Sequence, residues 1–301
     1  MDFSVIGKEI KALRQELGIS QAELSNDICT QSQISKIEKG EVFPLANTLY
    51  FIAEKLGVDV NYFYDLATTP HLEYVKMVKE QVRSALNEYN YEEVYRIINT
   101  EKKNPLFFNN RKNSQFLLWN EGICVYYTKK EKGSALKLFK EALDLTKMTN
   151  KLLGEREIEI INSIGIIHSE TGEYQKAIET FNQALINFVK LPSFHDYTIK
   201  TKIFYNKSKA LTKIKKYSEA VDECQKGIAW CVKNNSLYLL GSLYYHIGYN
   251  YSFMEKKEEA ITNYQKAITV FDLQKNVDFT HYIQEKINLL KTDATISSTS
   301  H

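Results

Sequence analysis

The stretch Ser20-Gln-Ala-Glu-Leu-Ser-Asn-Asp-Ile-Cys-Thr-Gln-Ser-Gln-Ile-Ser-Lys-Ile-Glu-Lys-Gly40 decides the reading of the N-terminal part of the chain. Ser20 followed three residues later by Glu23 is a capping box, so a helix starts at Gln21 with Ala22, Leu24, Ser25 and Ile28 facing inward. Thr30 followed by Gln33 repeats the signal, so the next helix starts at Gln31, buries Ile34 and Ile37 and stops at Gly40. Upstream, Phe3, Ile6, Ile10, Leu13 and Leu17 recur at three- and four-residue steps, one face of an amphipathic helix ended by Gly18. Downstream, Pro44 precedes a fourth helix with Leu45, Leu49, Ile52, Ala53 and Leu56, ended by Gly57, and Val60 to Tyr64 makes a short fifth. Five short helices with a tight turn between the second and third describe a helix-turn-helix module over residues 1–65.

With Ile34 and Ile37 inside, a step of about 100° per residue turns Ser32, Ser35, Lys36 and Lys39 outward. Gln31 and Gln33 flank them, and Thr30 stands at the helix start. Hydroxyls, amides and cations make up this face, with no carboxylate among them. Gln pairs bidentately with adenine, Ser meets several base edges, and Lys meets guanine or phosphate. Gln21 and the start of the third helix offer donors to phosphates. On one isolated helix the same residues would read as a solvated polar face; the capped helix and tight turn before it favour DNA contact. Bulk charge opposes that reading. Residues 1–65 hold six Lys and Arg against ten Asp and Glu, a net of −4, so any DNA affinity has to come from a local basic face.

Ser20-Gln-Ala-Glu-Leu24 together with Gln31-Ser-Gln-Ile-Ser-Lys-Ile-Glu-Lys-Gly40 resembles the lambda-repressor-like (Cro/XRE) helix-turn-helix family. Ile34, Glu38 and Gly40 match that family's close to the third helix. The resemblance implies base reading by Gln31, Ser32, Gln33, Ser35 and Lys36 and phosphate contact by Gln21.

Beyond residue 72 the pattern changes to a long repeat. Ala135-x3-Phe139-x2-Ala142 recurs from Ala177, from Ala220 (with Cys224 and Gly227) and from Ala260, at spacings of 42, 43 and 40. A small residue precedes each alanine by about a dozen positions: Gly122, Gly165, Ser208 and Gly248. Small-then-large positions at fixed spacing are what two close-packed helices require, and the pattern resembles tetratricopeptide repeats. A degenerate copy spans Leu72 to Lys102, and Phe279 to Leu290 can cap the far end. The expectation is an all-α chain: residues 1–65 helix-turn-helix, 66–71 a junction, 72–290 about five repeats and a capping helix in a right-handed superhelix, and 291–301 a flexible tail.

The first helix of each repeat should line the inside of such a superhelix. By repeat register that puts Trp119 and Asn120, then Glu159, Asn162 and Ile166, on the inner surface. Lys202, Tyr205, Asn206 and Lys209 come next, followed by Ser242, Tyr245 and Tyr249. Asn offers both a donor and an acceptor to an extended backbone. Tyr and Trp give flat amphipathic walls, and Lys202 and Lys209 suit a carboxylate. The alternative is that these side chains bond neighbouring repeats to each other.

Composition supports the helical reading: 301 residues, 44% hydrophobic, with only 4 Pro and 12 Gly against 20 Tyr and 15 Phe. Cys29, Cys124, Cys224 and Cys231 form no Cys-x-x-Cys pair, so small core residues in a reducing compartment are expected, with no metal site. The six histidines are scattered, and neither a phosphate-cradling glycine loop nor a nucleophile elbow is present, so no enzyme activity and no cofactor are expected. Without a signal sequence or a membrane-length apolar run, the expected location is the cytoplasm, away from membranes.

The two halves together are similar to the PlcR group of peptide-sensing regulators of Gram-positive bacteria. Ile28-Cys29 with Gln31-Ser32, Val42-Phe43-Pro44, Phe63-Tyr64, Gln115-Phe-Leu-x-Trp119, Tyr205-Asn206 with Lys209-Ala-Leu211, and Leu243-Tyr-Tyr245 carry the resemblance. It implies a homodimer on a pseudo-palindromic double-stranded DNA site, controlled by a short signalling peptide of the quorum-sensing type in the groove. It also implies that Tyr64, Asn162, Asn206 and Tyr245 use or flank peptide-contact positions. Asn87, Glu88 and Tyr89 depart from a Lys-rich segment in related proteins, which points to a paralogue with its own signal. The alternatives are a repeat-domain adaptor, or a regulator answering to a protein partner.

Overall fold

The computed structural model describes residues 4–69, 71–146 and 153–298, and among them every regular element is a helix. Two compact units result, Met1–Cys124 and Val125–His301. Phe3, used in the sequence reading, and Pro70, within the expected junction 66–71, lie outside the described residues.

The first unit opens with α1 (Ser4–Glu16), α2 (Gln21–Ser25), α3 (Gln31–Glu38), α4 (Ala46–Leu56) and α5 (Val60–Thr68). Each break has a local cause. Gly18, Gly40 and Gly57 take left-handed backbone at φ +69°, +74° and +73°, which an L side chain adopts only at a cost. Ser20 and Asp59 cap α2 and α5 with their side chains. The core is Ile6, Ile10, Leu24, Ile34, Ile37, Leu49, Ile52 and Phe63, all close to fully buried. Three expected core residues are outside it: Leu17 is 53% exposed, Leu45 is 68% exposed as the N-cap of α4, and Ala22 is exposed. Helix ends explain the two leucines, because α1 stops at Glu16 and α4 starts at Ala46, so neither shares the buried stripe.

The same unit continues with α6 (Leu72–Asn87), α7 (Tyr91–Glu101), the single turn α8 (Pro105–Phe108) and most of α9 (Arg111–Lys129). Val75, Val78, Val82, Val94, Ile98, Phe107 and Phe116 form its second core. At the expected junction, 66–71, α5 runs to Thr68, whose carbonyl accepts from Asn110 Nδ2 at 3.0 Å. The two compact units divide inside α9.

The second unit holds α10 (Lys132–Thr146), α11 (Glu155–Glu170), α12 (Tyr174–Val189), α13 (Thr198–Lys213), α14 (Tyr217–Lys233), α15 (Leu240–Phe253), α16 (Lys257–Leu273) and α17 (Val277–Ser298). Small residues let each first helix meet its second. A Cβ on Gly165 would lie 2.5 Å from the Phe181 ring, and one on Gly248 would lie 2.7 Å from the Tyr264 ring. Ser208 and Cys224 are completely buried at the equivalent contact. Left-handed residues recur at the intra-repeat turns Lys130, Gly172, Lys215 and Glu255, so the repeat is a repeat of backbone conformation as well as of side-chain size. First helices α11, α13 and α15 pack side by side, whereas second helices α12, α14 and α16 lack comparable mutual contact. That asymmetry curves the layer with its first helices on the inside.

Of the segment 291–301, where a flexible tail is expected, α17 includes the residues to Ser298. The rest of that expected tail, 299–301, lies outside the described residues.

Gly165→Ala forces a methyl into the Phe181 ring, and urea denaturation is expected to register a loss of about 1–3 kcal/mol, as overpacked cores do. Gly133→Ala, in open space on α10, is expected to cost nothing by the same measurement.

Candidate DNA interface and ligand groove

The position of α3 is set by its contact with α1. Gly7 passes so close to α3 that a Cβ there would sit 2.0 Å from the Ile37 carbonyl oxygen. At the C-terminal end of the same contact Glu38 is buried, with 4% of its surface exposed. A lone buried carboxylate is costly, and Arg14 answers it. Its Nε and Nη2 donate to the two Glu38 oxygens at 2.6 and 3.0 Å, while Nη1 donates to the Ile19 carbonyl at 2.8 Å. Burial works to raise the Glu38 carboxyl; the bonds from Arg14 and Gln21 outweigh it and hold the group below the usual carboxylate range.

This ion pair extends outward through amides. Gln21 Nε2 donates to Glu38 Oε2 at 2.9 Å, and Gln31 Nε2 donates to Gln21 Oε1 at 2.7 Å. Each primary amide carries two N–H donors. Gln31 therefore keeps one N–H and its carbonyl oxygen, the pair that adenine asks of a bidentate partner. Gln21 likewise keeps one N–H, enough for a phosphate oxygen. Gln31, Ser32, Lys36 and Lys39 are exposed, with Gln33 and Ser35 half-buried beside them. Thr30 caps α3 by accepting from Gln33 N at 3.2 Å, but the expected second capping box is only half made: no return bond from the Gln33 side chain forms, and its amide stays at the surface. Lys39 stands 4.0 Å from Glu41 in an exposed pair, which leaves its charge available. Arg14 and Glu38 are the positioning residues that residue-by-residue reading passed over. The signal was present, since Glu38 follows Ile34 by one turn on the buried side of α3.

The expected groove residues divide differently. In the first unit, Tyr64 is exposed on α5 and Trp119 is half-buried against the second core. Asn120 is not offered to a ligand. It is 1% exposed, donates from Nδ2 to the Phe116 carbonyl at 2.7 Å, and leaves its Oδ1 buried without a partner.

In the second unit, Glu159, Asn162, Lys202, Tyr205, Asn206, Lys209, Ser242, Tyr245 and Tyr249 lie on the first helices α11, α13 and α15. Several bond to each other across neighbouring repeats. Lys202 pairs with Glu159 at 3.6 Å, and Asn206 Nδ2 donates to Asn162 Oδ1 at 3.2 Å. Asn162 is buried by this. Lys209 lies over the Tyr205 ring at 5.6 Å, and Tyr245 stacks on Tyr249 with centroids 6.2 Å apart. Burial pushes the Tyr245 phenol up, and the hydroxyl of Tyr282 stands 3.4 Å from its own.

Behind this face lies a polar knot that the sequence reading missed. Thr212 Oγ1 donates to Asn250 Oδ1 at 2.7 Å and stands 3.1 Å from His246 Nε2. The same hydroxyl lies 3.0 Å from the Ser208 carbonyl, so its one proton is shared among these neighbours. Burial, with the Lys209 charge adding to it and a bond to Ser208 opposing it, pushes the imidazole down to about 4. The signal was weak, because His246 sits one position from an expected lining residue.

A profile for the RNPP family C-terminal domain matches residues 79–291, and a helix-turn-helix profile matches residues 7–68. Among solved structures, Bacillus thuringiensis PlcR in complex with the peptide PapR7 and DNA is 29% identical, with a TM-score of 0.83 over 92% of this chain and 98% of that one. ComR from S. thermophilus with DNA and its signalling peptide ComS is 16% identical, with a TM-score of 0.62 over 95% and 99%. The SHP pheromone receptor Rgg2 of Streptococcus dysgalactiae is also 16% identical, with a TM-score of 0.62 over 94% and 98%. At that identity the last two share the fold alone. No curated protein sequence matches the chain.

Two acid limbs in the stability profile are expected. The depressed His246 adds a stability term fully present above its unfolded value of about 6.5 and lost progressively as pH falls from there to about 4, a loss of about 3 kcal/mol. His246→Gln flattens that limb. Glu38, also depressed, adds stability present above about pH 4.3 and lost below it. Glu38→Gln removes this lower limb and costs about 3 kcal/mol at neutral pH, because the Arg14 guanidinium is left buried and unpaired. Urea denaturation across pH 3 to 8 reads both.

Proposed function

Since the chain belongs to the RNPP family, we propose that it is a sequence-specific DNA-binding transcription regulator, controlled by a short signalling peptide of the quorum-sensing type. The observation that carries the proposal is the amide relay: Arg14, Glu38 and Gln21 hold Gln31 with a donor and an acceptor turned to the surface of α3. The likeness to PlcR, solved with both a peptide and DNA, covers the reading module and the repeats together.

The chain works as a homodimer on a pseudo-palindromic operator, with half-sites one helical turn, about 34 Å, apart. Gln31, Ser32, Gln33, Ser35 and Lys36 read bases, while Gln21, the capped start of α3 at Thr30 and Lys39 meet phosphates. The peptide lies along α11, α13 and α15. It shifts the population of dimers whose reading heads match the operator spacing. The protein acts in the cytoplasm and carries no catalytic role; no described helix is long and apolar enough to cross a membrane.

Selection from a randomised duplex library tests the reading. The wild type is expected to enrich an inverted repeat, and Gln31→Ala/Lys36→Ala to lose it, with about 1–3 kcal/mol of discrimination gone at each lost base contact. A wild type that enriches no sequence, with or without cell extract, sinks the proposal.

A further inference from the structure

The first helices of the second unit carry an uneven charge pattern. The sequence of α11 holds four glutamates, Glu155, Glu157, Glu159 and Glu170. By contrast α13 holds five lysines and no carboxylate, and α15 holds no Asp, Glu, Lys or Arg at all. Most of the α13 lysines have an evident role. Lys200 lies against the Trp230 ring at 4.1 Å. Lys202 pairs with Glu159 at 3.6 Å, and Lys207 pairs with Glu223 at 3.0 Å. Lys213 stands in the last turn, where a cation meets the negative end of the helix dipole.

Lys209 differs. It projects from the middle of α13 on the inner face, over the Tyr205 ring, and among the described residues no carboxylate comes within ion-pair distance of it. Beside it is a recess of about 30 Å³, room for one water or one small polar group, lined by Ile166, Ser169, Glu170, Phe181, Asn206 and Lys209. The carboxylate of Glu170 is already engaged, accepting from the Tyr127 hydroxyl at 2.7 Å. Asn206, which also lines the recess, donates from its amide nitrogen to Asn162 Oδ1. Lys209 itself is exposed, and its charge is among the influences that keep the buried His246 ring neutral.

We propose that Lys209 is the anion anchor of the groove and selects peptides bearing a carboxylate. The carboxylate is either the peptide's own C-terminus or an Asp or Glu side chain, seated against Lys209 Nζ with the aromatic wall of Tyr205, Tyr245 and Tyr249 beside it. An ammonium–carboxylate contact is charge-assisted, which makes it shorter and stronger than a neutral hydrogen bond. This rests on the reading of the chain as a peptide sensor and adds the chemistry by which one peptide is told from another.

The test uses the full chain and random heptapeptide libraries in four forms: free acid or C-terminal amide, each with or without Asp and Glu in the random positions. Peptides retained by the protein are identified by mass spectrometry, for the wild type, Lys209→Gln, Lys209→Arg and Lys213→Gln. The wild type is expected to retain carboxylate-bearing forms at least about tenfold over the acid-free amide, a preference of about 1.4 kcal/mol. Whichever single-carboxylate form is retained identifies the source. Lys209→Gln loses the preference, Lys209→Arg keeps it, and Lys213→Gln leaves it unchanged. A wild-type preference that survives Lys209→Gln, or that disappears with Lys213→Gln, overturns the proposal while leaving the peptide-sensor reading intact. Retention of no form by the wild type overturns both.

Discussion

The reading face depends on a carboxylate almost entirely removed from water. Glu38 lies between α1 and α3, where the Gly7 backbone has closed the space to one without a side chain. An ionised group there is tolerable only with a charged partner and saturated lone pairs. Arg14 supplies the charge and Gln21 the further hydrogen bond. Because Gln21 is fixed by that need, Gln31 has a fixed acceptor, and the outermost amide of the relay meets solvent in a defined orientation. A stability requirement in the core thereby becomes an orientation requirement at the surface. The pair leaves the −4 balance unchanged, since Arg14 and Glu38 cancel; what suits DNA is local, the exposed cations Lys36 and Lys39 sharing a face with no acid on α3.

The repeats answer to a different constraint, the distance between paired helices. Gly165 under Phe181, Gly248 under Tyr264 and Ser208 at the buried Cys224 position set a close approach. The first helices then come into mutual contact and the second helices do not. Polar side chains at the first-helix contacts bind each other: Glu159 with Lys202, Asn162 with Asn206, Thr212 with His246 and Asn250. A ligand in this groove would meet a surface whose polar groups are largely paired already. Its selectivity has to come from what is left over, the aromatic rings and the unpaired Lys209.

Much of this was legible in the residues. Capping pairs and glycines marked every break in the first five helices, because Ser20, Thr30, Gly18, Gly40 and Gly57 act on the backbone next to them. The alanine–aromatic–alanine spacing found the repeats for a similar reason, since helix packing needs small residues at set intervals. Side-chain pairing was not legible. Whether Asn120 faces a ligand or its own Phe116 carbonyl, and whether Asn162 clamps a peptide or Asn206, depends on helix rotations of a few tens of degrees that the repeat register leaves open. Arg14 and Glu38 are 24 positions apart, and only the fold brings their charges together.

The account's central claim is that one chain couples a DNA-reading helix to a peptide groove, and that claim reduces to a free-energy coupling between two sites. The direct measurement is the affinity of the full chain for its selected operator, by fluorescence anisotropy at fixed salt, without peptide and with a retained peptide at saturation. Coupling of about 1–3 kcal/mol predicts a change of about 5- to 150-fold. Equal operator affinities with the groove empty and filled would contradict the account.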